Sequence, residues 1–258
     1  MPQSPQLPAG VPLGFPRCPK CSYLRAGPAH ICVACAGQTF EAIPRNACPV
    51  CSQLLDVDGT CPNWLCGDSA RRISRIHAIS YQSGPLRNVI SRYKYDGRYG
   101  WALIFGRLVL GWLETYGGAS PPGLIVANPT YAGPGGRSLA HTELVLEVAA
   151  HQDVQRTWPF DVANPRAIVK TRATPQSASA TAKAKRAAAA ELRAALAVPD
   201  PSRTAGRYVL VYDDVCTTAS QLNAVADCLL ADGQASRVEA LVLARAPWRR
   251  RTLVPLDD

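Results

Sequence analysis

The chain has 258 residues, of which 47% are hydrophobic, and its formal net charge is +9. A chain of this length and apolar content can bury a core in one large or two smaller domains, so we expect an ordinary globular protein. No window is long and apolar enough for a membrane span, and the first 16 residues lack the pattern of a secretion signal. We therefore expect a cytoplasmic protein with no membrane insertion.

The distribution of cysteine divides the chain. Residues 1–16 are Pro-rich and predict a flexible leader, because they hold few groups with which to build a core. Eight of the ten cysteines fall in residues 17–70, and the composition changes sharply after them. We place a second domain at residues 71–250 and a short tail at residues 251–258.

Paired cysteines in residues 17–70 predict two structural zinc sites. Three CxxC pairs and the segment CPNWLC each direct two thiolates at one point, and two such pairs supply the four sulfurs of a tetrahedral site. Neither site would keep an open position for a substrate. With consecutive pairs sharing a metal, the ligands are Cys18, Cys21, Cys32 and Cys35 in the first site, and Cys48, Cys51, Cys61 and Cys66 in the second.

The sequence leaves alternatives to this zinc assignment open. A cross-braced arrangement would join the first pair to the third, although consecutive sharing is favoured. A disulfide framework is disfavoured, because no secretion signal accompanies the cysteines, and a redox CxxC pair is less favoured still. Two zinc ions bound by eight thiolates would lower the net charge to roughly +5, and the remaining positive charge still favours anionic partners.

Two helices are predicted after the cysteine region. Leu86, Val89, Ile90 and Tyr93 recur at the spacing of an amphipathic helix, which the turn signal Asp96-Gly97 ends. A second helix is predicted over WALIFGRLVLGWLETYGG. GLIVANPT then predicts a short buried strand, and SLAHTELVLEVAAH predicts another helix.

The rest of the chain alternates strands and helices. RAIVKTR is a candidate strand, and the segment after it predicts a mobile stretch that runs into a surface helix rich in alanine. RYVLVYD predicts a strand, ASQLNAVADCLLADG a helix, and RVEALVLAR a final strand. This alternation favours a parallel α/β sheet.

Two adjacent acids stand at the end of the strand RYVLVYD. Ligands of open parallel sheets bind outside the carboxyl ends of the strands, where Asp213 and Asp214 lie. The next helix offers free N–H groups and a positive dipole end to a phosphate, and hydroxyl groups precede it. A sugar phosphate fits this pattern, with magnesium or ribose hydroxyls on the acids. Simple capping of the helix explains the same residues equally well.

The segment VLVYDDVCTTASQ resembles the phosphoribosyl-pyrophosphate signature of type I phosphoribosyltransferases, in which two acids precede a Thr-Gly-rich loop. Further features, in the same order, resemble the ComF family of competence-related, phosphoribosyltransferase-like proteins. Together they span residues 18–245. They are the cysteine pairs, SRYKYDGRYGWALIFGRL, TRATPQ and VEALVLARA.

The resemblance implies an α/β fold: a type I phosphoribosyltransferase-like parallel sheet flanked by helices, with an N-terminal zinc-ribbon domain. It implies binding of phosphoribosyl pyrophosphate or a related sugar phosphate with magnesium, and it suggests transfer of the phosphoribosyl group. Asp213 and Asp214 would be the catalytic residues that contact the ribose or its magnesium. The implied substrate-binding residues are Thr217, Thr218, Ala219, Ser220 and Gln221 around the phosphate, and Arg172 and Gln176 in a flexible hood.

One residue of the loop departs from the family pattern. Ala219 stands where family members usually have glycine. Alanine resists a positive φ at a cost of roughly 1–2 kcal/mol, which we expect to weaken phosphate binding. His77, His141 and His151 show no partner in the sequence, and we interpret them as structural.

The alternative is a non-catalytic, nucleic-acid-binding accessory protein of DNA uptake or processing. Its partners would be single-stranded DNA and DNA-processing proteins, and its phosphate pocket would be degenerate. The basic runs RRISR, at residues 71–75, and WRRR, at residues 248–251, would contact phosphates or stack on bases. A solvated basic surface explains these runs as well, and a protein-binding adaptor is a third alternative.

Overall fold

The computed structural model of the protein describes residues 39–82, 84–131, 133–134, 140–174 and 182–247. Four strands form a parallel sheet in the order β1-β6-β5-β2, and the other two form a small antiparallel pair. The strands are β1 (Ile76–Tyr81), β2 (Leu124–Ala127), β3 (Val169–Lys170), β4 (Leu196–Ala197), β5 (Tyr208–Cys216) and β6 (Arg237–Arg245).

Helices cover both faces of the parallel sheet. Those of the described residues are α1 (Gly84–Tyr95), α2 (Trp101–Tyr116), α3 (His141–Gln152), α4 (Ala182–Ala194) and α5 (Ser220–Ala231). One core contains residues of α1, α2 and α3 together with Leu210 and Tyr212 of β5. The other contains residues of α5 together with Val209 and Val211 of the same strand. Alternate residues of β5 thus face opposite layers, which explains its nearly unbroken apolar run.

The predicted alternation of strands and helices is confirmed as a parallel α/β sheet. Strands were predicted at β2, β5 and β6, and helices at α1, α2, α3 and α5, and each lies where its pattern indicated. RAIVKTR contributes only two residues, which pair with β4. β1 was not predicted, because His77 and Ser80 break the apolar run of a strand that lies at the sheet edge. Across the described ranges, no helix has both the length and the apolarity that a bilayer crossing requires.

The described part of the cysteine region packs on the sheet. Residues 64–67 form a short 3-10 helix, and the remainder of this region is mostly turns. Cys51 and Leu65 are buried in the same core as Val211 of β5. The Ile76 amide donates to the carbonyl of Val50 across the boundary that the sequence placed near residue 70. The cysteine region is therefore joined to the sheet by both side chains and backbone.

Candidate functional site

Four cysteine side chains meet beside the sheet. The sulfurs of Cys48, Cys51, Cys61 and Cys66 all lie within 4.8 Å of one another. These residues are the predicted ligands of the second zinc site, with consecutive pairs sharing one position. Cys18, Cys21, Cys32 and Cys35, the predicted ligands of the first site, lie outside the described residues.

The spacing of the sulfurs fits a tetrahedral metal site. Three of the Sγ–Sγ distances are 3.9, 3.7 and 3.6 Å. A tetrahedron of sulfurs about 2.3 Å from a zinc ion has edges of about 3.8 Å, whereas a disulfide needs about 2.05 Å. The pKa of Cys51 is lowered to about 4, mainly by the hydrogen bond from Cys66 and further by the charge of Arg245. A cluster of four cysteines with this geometry could hold a zinc ion.

The two acids near the carboxyl end of β5 are buried and differently paired; the strand, predicted to end at Asp213, continues to Cys216. Asp214 lies between two cationic or potentially cationic groups: Lys94 Nζ is 2.7 Å from its Oδ1, and His141 Nε2 is 3.0 Å from its Oδ2. Asp213 instead accepts a hydrogen bond of 2.9 Å from the side-chain amide of Asn128. Both basic side chains that contact this pair of acids therefore contact Asp214.

This difference separates the acidities of the two carboxyls. Burial and the nearby charge of Asp214 raise the pKa of Asp213 to about 6. Burial also opposes ionisation of Asp214, but Lys94 and His141 outweigh it and hold its pKa below the ordinary value. Asp214 is therefore an anion at neutral pH, and Asp213 is the carboxyl of the pair whose protonation changes closer to neutral pH.

The loop after the acids turns through a left-handed residue. Ala219 has φ 67° and ψ 5°, a left-handed conformation, and directly precedes the first residue of α5. The hydroxyls of Thr218 and Ser220 lie 3.0 Å apart in a hydrogen bond. The turn thus forms without glycine, at the cost that a β-carbon brings to left-handed backbone.

A cavity of about 350 Å³ joins these groups. Small-molecule sites are commonly of this size or larger. Asp213, Asp214 and the whole loop 217–221, which were candidate site residues in the sequence, all line this cavity. Its other lining residues include Lys94, Asn128, Thr130, His141, Lys170 and Thr174.

Four important residues of this region were not identified from the sequence. Lys94 on α1, Asn128 directly after β2 and His141 on α3 contact the acids, and no local pattern links them to residue 213. Lys94 does lie in SRYKYDGRYGWALIFGRL, one of the segments that resemble the ComF family. That resemblance was the one signal in the sequence that could have identified it. The fourth, Arg245, is completely buried at the end of β6.

The predicted hood residues are only partly described. Arg172 is half-exposed and pairs with Glu191 at 3.0 Å, and its side chain is not among those that line the cavity. Its neighbours Ala173 and Thr174 do line it. Gln176 lies outside the described residues. Cys216, beside the loop, is buried, and burial raises the pKa of its thiol to about 11, as suits a packing residue rather than a nucleophile.

Comparison of the chain with protein-family models and with curated proteins finds no match in either.

Proposed function

We propose that the protein is a ComF-like protein of the type I phosphoribosyltransferase fold, and that its cavity binds the ribose 5-phosphate part of phosphoribosyl pyrophosphate or of a related sugar phosphate, with magnesium. The observation that carries this proposal is the joining of two buried acids and a left-handed, hydroxyl-bearing loop in one cavity. The sequence alone allowed helix capping as an equal explanation. Capping does not account for a cavity lined by both groups.

The phosphate would lie on the loop. Residues 217–221 turn at Ala219 and lead into the N-terminus of α5, whose dipole favours negative charge. Thr217 adds a hydroxyl donor along the same wall of the cavity, and the hydrogen-bonded pair of Thr218 and Ser220 leaves one further O–H to donate. The hydrogen bond between the Thr218 and Ser220 hydroxyls restricts these two side chains, which lowers the ordering entropy that is lost when a phosphate binds.

The ribose would lie over the acids. Lys94 already neutralises Asp214, so Asp213 is the carboxylate whose charge is left for a ligand when it ionises. Its oxygens suit both ribose hydroxyls and magnesium, which prefers carboxylate and phosphate ligands. Asn128 orients Asp213 by donating to one of its oxygens, which leaves further lone pairs for a bound group.

Transfer of the phosphoribosyl group would follow from this placement. A nucleophile of the acceptor forms a bond to C1 of the ribose, and the bond from C1 to pyrophosphate oxygen breaks with its electron pair leaving on the pyrophosphate. A bound magnesium ion would supply charge neutralisation for that leaving group.

Calorimetric titration with phosphoribosyl pyrophosphate and magnesium tests the proposal. We expect binding by the wild type and a loss of affinity of at least about tenfold in Asp213→Asn, which removes the charge but keeps the shape. Asp227→Asn is the matched control, because Asp227 lies on α5, pairs with Arg72 and Arg193, and does not line the cavity. Absence of binding by the wild type, or equal binding by Asp213→Asn, contradicts the proposal.

The same samples test the nucleic-acid alternative. In the described part of RRISR, Arg72 pairs with Asp227, and Arg71 donates to the carbonyls of Ile73 and Ser74. Two of its arginines thus already have internal partners. Affinity for single-stranded DNA that falls steeply between about 50 and 200 mM salt, together with no sugar-phosphate binding, would favour the accessory role instead.

A further inference from the structure

A single buried arginine contacts both the cysteine cluster and the loop 217–221. Arg245 is completely excluded from solvent. Its Nε donates to the carbonyl of Cys51 at 2.8 Å, and its Nη2 lies 3.7 Å from the sulfur of the same residue. On its other side, Nη1 donates to the carbonyls of Cys216, at 2.8 Å, and of Thr217. One guanidinium therefore spans from a metal ligand to the first residue of the loop.

The charge of Arg245 requires a counter-charge. Leaving a buried cation unpaired costs several kcal/mol. The described contacts of this guanidinium go to carbonyl oxygens and to a sulfur, and none goes to a carboxylate. Four thiolates around a zinc ion carry a net charge of about −2, which makes the cluster the anionic neighbour of Arg245.

We propose that Arg245 couples metal binding at Cys48, Cys51, Cys61 and Cys66 to the order of the loop 217–221, so that a filled cluster strengthens phosphate binding in the cavity. The identity of the ligand rests on the proposed function above, whereas the coupling between metal and loop does not. Arg245 is a positioning residue: it holds the loop through the Thr217 carbonyl and does not line the cavity.

The coupling follows from the rigidity of the guanidinium. Its planar fork has donors on both sides, so the carbonyl of Cys51 and the carbonyls of Cys216 and Thr217 are held at a constant separation. When the cluster loses its metal, the guanidinium loses its anionic partner and the carbonyl of Cys51 shifts. The guanidinium then no longer holds the carbonyl of Thr217, and the start of the loop becomes less ordered. By reciprocity, a ligand that binds only the ordered loop must raise zinc affinity by the same factor.

Hydrogen exchange tests the coupling without any phosphate ligand. In the full-length protein, we expect the amides of residues 217–221 to exchange at least about tenfold faster after zinc is removed by a chelator, while the amides of α3 do not change. In Arg245→Met, we expect the amides of residues 217–221 to exchange at this faster rate even with zinc present. An equal loss of protection throughout the protein, or no change in the loop, overturns the proposal.

Replacement of Arg245 by lysine separates the effect of its positive charge from the effect of its hydrogen bonds to both the cluster and the loop. Arg245→Lys keeps a cation beside the thiolates but cannot reach carbonyls on both sides, so we expect zinc to be retained and the loop to exchange fast. Arg203→Met is the matched control. Arg203 also pairs with a buried group, Asp161, but it precedes the first residue of β5, whereas Arg245 contacts the last residue of that strand. Thermal unfolding checks each variant, and Arg245→Lys together with chelated wild type decides the outcome if Arg245→Met does not fold. A slow loop in Arg245→Lys contradicts the proposal.

Calorimetry with phosphoribosyl pyrophosphate then distinguishes the two proposals. Binding that is about tenfold weaker after chelation, alongside the fast loop, supports both. No binding with or without zinc, alongside a loop that responds to zinc, refutes the proposed function and leaves the coupling in place. Unchanged affinity with an unresponsive loop refutes the coupling and leaves the proposed function.

Discussion

Arg245 contacts both the cysteine cluster and the loop that lines the acidic cavity, but the cluster and the cavity are assembled in opposite ways. The four sulfurs come from residues 48–66, in a segment of turns and one short 3-10 helix. The cavity instead joins residues of α1, α3, β5 and the chain after β2. The cluster is local in sequence and the cavity is not. We therefore expect a bound metal to stabilise the positions of the four cysteines, whereas the sheet and the helices packed on it fix the residues of the cavity.

This contrast also appears in the buried polar groups. Within the cluster, sulfurs face sulfurs at 3.6–3.9 Å, an arrangement that a bound cation would stabilise. Within the cavity, Asp214 already has Lys94 and His141 as partners, so its charge is balanced by the protein itself. We expect metal removal to disturb the first region strongly and the second only through Arg245.

The largest expected effect is the loss of a metal ligand. Cys51→Ser removes a buried sulfur, and we expect it to lose one equivalent of zinc and to lower the free energy of unfolding by about 4 kcal/mol or more. Metal analysis and urea unfolding measure the two effects. Cys228→Ser, at a cysteine equally buried but outside the cluster, should keep its zinc. Full zinc content in Cys51→Ser would break the distinction between the two regions.

A pH effect of intermediate size should come from Asp213. Its pKa of about 6 in the folded protein exceeds the value of about 4 in an unfolded chain, so between these values the folded state binds more protons. The free energy of unfolding contributed by this group therefore falls as pH rises from about 4 to 6, by on the order of 2–3 kcal/mol. The lowered pKa of Asp214 has the opposite sign, and its stabilisation is lost only below about pH 4.

Urea unfolding of wild type and Asp213→Asn at several pH values between about 4 and 7 isolates this contribution. The difference between the two proteins should change with pH in that window, in favour of the variant as pH rises. A difference that does not vary with pH would show that Asp213 is not the carboxyl held in its protonated form by burial.

The smallest expected effect concerns Ala219. Its left-handed backbone belongs to the turn that leads into α5, so we expect the strain to be a cost of folding rather than of binding. Ala219→Gly should therefore stabilise the protein by roughly 0.5–1 kcal/mol, the relief of strain less the added entropy of glycine in the unfolded chain. Calorimetry should find phosphoribosyl pyrophosphate affinity changed by less than about threefold.

Ala224→Gly supplies the control for that prediction. Ala224 lies in the interior of α5, where the same substitution should destabilise by about 1 kcal/mol. If Ala219→Gly instead sharply tightened sugar-phosphate binding, the alanine would impose its cost on binding, as the sequence by itself suggested.

The sequence alone located the local features from which the cluster and the cavity are built. The apolar runs of β5 and β6 indicated buried parallel strands, the cysteine spacing indicated the cluster at Cys48–Cys66, and the two acids before a hydroxyl-rich turn indicated a site at the carboxyl end of β5. Each of these signals lies within a few residues of chain, where side-chain period and backbone geometry determine the pattern.

Only the tertiary structure decided which distant side chains meet. Lys94 and His141 reach Asp214 because α1 and α3 pack on the same face of the sheet, and Arg245 is buried because the cysteine region covers the end of β6. In sequence, an arginine that ends a strand resembles a solvated surface group. Its burial, and with it the connection between the cluster and the loop, arises from packing between elements that no local pattern records.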